Sequence, residues 1–257
     1  TPCGTLFPYT TLFRSASELT GYPEFESLCE ALLKRTLRFS TSSLEIDRLD
    51  QNILDLLVRG GQNTLTIAPE FGDQQRRFDL RKRISDEQIF DIAERAGKAG
   101  MERLKIYLIL GAPGSDESEA ETNARFLEQV RRFFFSAPGR GRKEIALSVN
   151  PFIPKPHTDW AAEPMIPEGQ YKRRVQTIRR AAGQLGGIHF TAAGHAAAVL
   201  EAALSLGDEK TGRLLVQQVT SGASPRALLR GLLEHGPVDP FLPERPLPLS
   251  GWSLRSE

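Results

Sequence analysis

The residues able to do chemistry collect at three junctions where an apolar run ends in Pro or Gly. At the first, Thr64-Leu65-Thr66-Ile67-Ala68-Pro69 delivers Glu70 just ahead of Phe71-Gly72. A carboxylate there accepts hydrogen bonds, which suits a hydroxyl or ammonium donor. At the second, Leu104-Lys105-Ile106-Tyr107-Leu108-Ile109-Leu110 closes in Gly111-Ala112-Pro113-Gly114. At the third, Asn150 precedes Pro151-Phe152-Ile153-Pro154-Lys155-Pro156-His157-Thr158. Asn150 offers amide donors and an acceptor. His157 titrates near neutrality, although a lone loop histidine is more often exposed and inert. His189, His195 and His235 lack metal-ligand spacing and receive no role. Lys172-Arg173-Arg174 and Arg179-Arg180 read as a solvated helix face.

These junctions need a scaffold that holds strand ends together. A helix starts after Pro23, with Phe25, Leu28, Cys29, Leu32 and Leu33 at helical spacing. Leu37 to Ser42 reads as a short strand, and a helix with Ile53, Leu54, Leu57 and Val58 on one face stops at Gly60-Gly61. Asn63 to Ala68 is the next strand. Ser85 with Gln88 is a capping-box pattern that opens a helix lined by Ile89, Ile92, Ala93 and Ala96. Arg103 to Leu110 is the longest strand, Glu117 to Phe135 a helix, and Lys143 to Asn150 a strand. Glu168 to Leu185, Ile188 to Thr191 and Ala196 to Leu206 complete the alternation as helix, strand and helix. Such alternation implies a parallel sheet, and continuous apolar runs suit strands buried on both faces. Ligand sites in these folds lie in the loops after the strands' C-terminal ends. Beyond residue 206, Ser224-Pro225 opens a short helix, and Pro237 to Pro248 is Pro-rich and extended.

Composition narrows the class. A length of 257 residues suits one barrel-sized domain or two small ones. A net charge of +1 gives no global pull toward nucleic acid or an anionic membrane. No run spans a bilayer. Cys3 and Cys29 make neither a metal-ligand pair nor a disulfide framework, so a reducing cytoplasm is the default location. Cys29 falls on an apolar helix face, where a small buried hydrophobe is the simpler reading. Thr5-Leu6-Phe7-Pro8-Tyr9-Thr10-Thr11-Leu12-Phe13-Arg14-Ser15 resembles the translation of a sequencing adapter. Residues 1–15 are therefore set aside as an artefact, and the biological sequence is expected to start near Ala16.

The three junctions, in this order and at this spacing, resemble the radical S-adenosylmethionine enzymes, especially the subgroup that carries an N-terminal cobalamin-binding domain. The resemblance covers residues 16 to about 206. It implies an α/β fold: a partial TIM-type (β/α) barrel of parallel strands over 16–206, followed by a helical and Pro-rich tail over 207–257. In the family, three cysteines of a CxxxCxxC loop hold a [4Fe–4S] cluster whose fourth iron position binds S-adenosylmethionine. Reductive cleavage then gives a 5′-deoxyadenosyl radical, fed by an external electron donor. This chain has no CxxxCxxC, so the first strands and the cluster loop are expected upstream of Ala16. The chain alone is expected to retain no cluster, cobalamin or activity, and the edge at Leu37–Ser42 to lack its neighbour and promote association.

The resemblance also implies cofactor-binding residues. Tyr22, in Thr20-Gly21-Tyr22-Pro23, stands where the family has an acid in a Gly-Gly-Glu-Pro-like turn. Glu70 follows the fourth family strand, and Arg77, with Lys82, matches basic positions after it. Gly111 and Pro113 form the Gly-x-Pro turn that lets backbone approach adenine. Asn150 ends the sixth family strand and is placed to bond cofactor or substrate. The substrate, small or macromolecular, is not named by the sequence, and methylation, methylthiolation and rearrangement all stay open. The competing readings are a cluster-free α/β-barrel enzyme acting on a phosphorylated small molecule and a non-catalytic module that docks through its Pro-rich tail. The former needs a phosphate cradle after a late strand, but Gly186-Gly187 precede the last one.

Overall fold

The computed structural model describes residues 21–41, 44–136 and 143–235. The adapter-like segment, Cys3, Thr20, Ser42 and the Pro-rich stretch 237–248 lie outside them. Four strands, β1 (Thr64–Glu70), β2 (Arg103–Leu110), β3 (Glu144–Pro151) and β4 (Ile188–Ala192), form one sheet in the order β1-β2-β3-β4. Every pairing is parallel. Helices α1 (Phe25–Lys34) and α2 (Gln51–Arg59) precede β1. Helices α3 (Gln74–Asp79) and α4 (Asp86–Ala99) join β1 to β2, and α5 (Glu119–Ser136) joins β2 to β3. Helix α6 (Glu168–Leu185) joins β3 to β4, and α7 (His195–Leu206), α8 (Glu209–Thr220) and α9 (Pro225–His235) follow. This is an α/β fold with a helix-flanked parallel sheet, compatible with a partial TIM-type barrel.

Local chemistry sets the helix ends. Asp50 accepts from the Ile53 amide at 2.8 Å to start α2. Ser85 and Gln88 form the expected capping box on α4, which stops at Gly100 in the left-handed region. Along β2, Leu104, Ile106, Leu108 and Leu110 are buried, as are Ile145, Leu147 and Val149 of β3, all in one core with α4, α5 and α6. The alternate residues Lys105, Tyr107 and Ile109, with Ala146, Ser148 and Asn150, remain half-exposed. The runs are thus not buried on both faces, as their apolarity suggested. They read as continuous because the second face also carries Tyr107, Ile109, Ala68 and Ala146, side chains a strand pattern counts as core.

Residues 37–41 form no strand. The Phe39 amide donates to the Gly60 carbonyl at 3.0 Å and the Thr41 amide to Gln62 Oε1 at 2.7 Å. The segment spends its backbone donors on the end of α2 and on a side chain, so no ladder to β1 forms. Among the described residues, the sheet edge on that side is β1 itself. Helices α3 and α8 were not legible as separate elements. Each begins at an aspartate cap, Asp73 and Asp208, whose side chain accepts from the first turn. Helices α8 and α9 pack with each other and with α7.

Candidate functional site

The C-terminal strand ends open onto a cavity of about 940 Å³. Its floor is Ala68 and Glu70 of β1, Tyr107 and Ile109 of β2, and Asn150 of β3. Its walls come from the end of α3 (Asp79, Leu80 and Arg81), from the segment after β3, and from Ala197, Ala198 and Glu201 of α7. Phe152 and Trp160 line the segment after β3, their rings edge to face at 5.8 Å, and Trp160 also meets buried Phe71 at 6.5 Å. Lys155 ties this segment to Glu201 of α7 at 2.6 Å, and exposed Arg81 and Asp159 meet at 3.2 Å.

Glu70 is held by the backbone as much as by its partner. The register slips between Ile67 and Glu70, and Glu70 adopts φ +68. A non-glycine residue there costs on the order of 1 kcal/mol and recurs at ligand clamps. Lys82 Nζ donates to Glu70 Oε1 and to the Ala68 carbonyl, both at 2.6 Å. The second carboxylate oxygen takes no hydrogen bond from a described residue. Asn150 sits beside Ile109 in register, and its amide makes no side-chain hydrogen bond with the described residues. A half-buried amide and a half-paired carboxylate facing a cavity are groups a polar ligand can satisfy.

The other four expected cofactor contacts lie elsewhere. Tyr22 is 48% exposed, and its hydroxyl donates to Glu24 at 3.2 Å. Arg77 is fully buried in α3 and donates to the Phe71 carbonyl at 2.8 Å, the Ile84 carbonyl at 2.9 Å and the Asp86 carboxylate. Gly111, at φ +74, allows a close approach of Ile166, since a Cβ there would stand 2.3 Å from Ile166 Cβ. The Pro113 carbonyl accepts from Arg76 Nη2 at 3.1 Å. None of these four lines the cavity.

Arg174 is not on a solvated face. It is buried, and Nη1 donates to Glu119 Oε2 at 2.6 Å. Its place was readable, because Tyr171, Arg174, Ile178 and Ala182 are the buried stripe of α6. Glu119 and Trp160 were missed altogether. Glu119 has a periodic signal, lying seven residues before Phe126 on the buried face of α5, whereas Trp160 sits in an irregular segment with none. His195 is buried with Nε2 2.8 Å from the Ile166 carbonyl, and His157 is exposed at φ +61. Gly187 precedes β4, where a Cβ would meet Phe135 at 2.9 Å, so it sits at the opposite strand end from the cavity.

The donor set does not fit an iron–sulfur cluster. Among the described residues no three His, Cys, Asp or Glu side chains are grouped to hold a metal ion. Cys29 is buried in α1, and burial, with Glu26 adding, pushes its thiol up to about 11, the reverse of what a thiolate ligand needs. No helix among the described residues is long and apolar enough to cross a membrane.

A strand-end cavity in a parallel α/β sheet is a common setting for a ligand site. The radical SAM superfamily model matches residues 10–127, a little under half of this chain. The match spans α1 to the middle of α5, including β1 with Glu70 and the turn after β2. It also includes residues 10–15. The chain is 27% identical over 227 residues to the Uncharacterized protein MJ0966 of Methanocaldococcus jannaschii, across 88% of this chain. It spans about half of that relative, 47% of its length.

Proposed function

We propose that this chain forms the S-adenosylmethionine-binding part of a radical S-adenosylmethionine enzyme whose cluster thiolates come from a segment outside this sequence. The observation that supports it is the cavity at the C-terminal strand ends, with Glu70 in a left-handed conformation and the Asn150 side chain on its floor without a hydrogen-bond partner among the described residues. S-adenosylmethionine, when bound, supplies a sulfonium that an external electron donor's reducing equivalents can cleave. The chain's own residues do the binding. The second oxygen of Glu70 accepts from a ribose hydroxyl or the ammonium group, and Lys82 on the first oxygen aims the carboxylate. The Asn150 amide serves a second polar edge of the ligand, and Phe152 and Trp160 exclude water from it. Within this reading the transferred group is a methyl or methylthio group, and the cobalamin-associated subgroup is the expected home.

The test is calorimetric titration with S-adenosylhomocysteine, which has the same adenosyl and amino-acid ends and does not react. Wild type is expected to bind, and Glu70→Gln to bind about tenfold more weakly, because the amide accepts only at one position and repels an ammonium donor. A flat wild-type titration rejects the reading.

A further inference from the structure

Behind the turn after β2 lies a buried charge network that no cavity residue shares. Glu119 opens α5 with its side chain 4% exposed. Its Oε1 accepts from Arg76 Nη1 at 2.6 Å. Its Oε2 accepts from the Gly111 amide at 2.9 Å and from Arg174 Nη1 at 2.6 Å. Arg76 extends the network, since Nη2 donates to the Ala112 and Pro113 carbonyls at 3.0 and 3.1 Å. Its guanidinium also lies 4.4 Å over the Phe71 ring. Phe71 in turn backs Trp160, which lines the cavity. Arg174 reaches in from α6 and donates to Ser115 Oγ at 3.0 Å. One turn along α5, Asn123 Oδ1 accepts from the Gly72 amide at 2.7 Å. One carboxylate therefore ties together the segments that follow β1, β2 and β3.

We propose that Glu119 is a positioning residue: it fixes the Phe71–Trp160 wall and the Gly111 turn in the arrangement that admits S-adenosylmethionine, without touching the ligand. The physical reason is charge. Two guanidinium groups converge on this carboxylate in a site shielded from water. Removing its charge leaves them mutually repelling, and Arg76 is then held over Phe71 only by its bonds to the Ala112 and Pro113 carbonyls. The inference rests on the ligand reading above, so its test has an arm that needs no ligand.

The chain has two tryptophans, Trp160 and Trp252. In a Trp252→Phe background, acrylamide quenching of the remaining emission reports Trp160 alone. Glu119→Gln is expected to raise the quenching constant at least twofold at a temperature where the protein is folded. It is also expected to weaken S-adenosylhomocysteine binding about tenfold. Arg76→Lys keeps Glu119 paired with Arg174 but loses the forked contacts and the stacking on Phe71, so it should show the same changes at smaller size. It decides the question if Glu119→Gln does not fold. A variant with a lowered Tm but unchanged Trp160 quenching and unchanged affinity has lost only stability, and that result overturns the proposal. If wild type binds no S-adenosylhomocysteine, the ligand reading fails, while the quenching comparison still decides whether Glu119 holds the wall.

Discussion

Cys29 shows how far one residue's surroundings decide its chemistry. Its side chain lies in the core between α1 and its neighbours, 2% exposed. Burial disfavours the thiolate, so the pKa moves up, to about 11, and the thiol stays protonated throughout the neutral range. With that value, roughly one thiol in a thousand is ionised at pH 8. In a Cys3→Ser chain, a thiol-specific disulfide reagent at pH 8 is expected to react with Cys29 only once denaturant is added. Fast reaction in the folded protein would place the thiol in a different environment from the one described. Glu70 is the opposite case, a charged group kept where a ligand can reach it. A bulge aims it across the strand ends, and Lys82 offsets its charge from one side only.

The elements that matter most are the turns leaving the strands. The turn after β2 is fixed from two sides, by Ile166 against Gly111 and by Glu119 on the Gly111 amide. Gly111→Ala combines an unfavourable φ with a Cβ placed inside Ile166, whose Cβ and Cγ2 atoms sit at 2.3 and 2.7 Å. Its cost is expected to be at least ~2 kcal/mol, read from the urea midpoint. An unchanged midpoint would mean that Ile166 is free to move. The same substitution at Gly114 meets open space, so its cost is limited to the φ penalty of about 1 kcal/mol, which makes it the matched control. Helix caps at Asp50, Asp73, Ser85 and Asp208 fix where their helices begin, and the Asp73 cap sets α3, whose end lines the cavity.

At the scale of the molecule, the sheet is packed by helices on one face and half-open on the other, with the cavity where the open face meets the strand ends. The proposal that cluster ligands come from outside this sequence belongs here. Anaerobic reconstitution with iron and sulfide, followed by iron and acid-labile sulfide analysis, is expected to leave well under one cluster per chain, because four irons need several thiolates in one place. Stoichiometric four-iron incorporation would overturn that proposal and leave the ligand titration as an independent question.

The sequence by itself determined the parallel α/β alternation, the four strands of the sheet, the capping box on α4 and the places where the strands end. These are local or periodic properties, set by side-chain size and by turn chemistry over a few residues. That Glu70 and Asn150 stand at the C-terminal ends of their strands was readable for the same reason, because in a parallel sheet these ends lie on one side whatever the rest of the chain does. The tertiary structure alone decided which polar side chains turn inward. Arg174 and Glu119 lie in register with the buried stripes of their helices, but periodicity does not say that a charged side chain there is paired, and what holds them and Arg77 inside is a partner 9 to 59 positions away. The absence of a strand at 37–41 was decided the same way, because its backbone donors found the end of α2 and the Gln62 side chain before they could find a ladder.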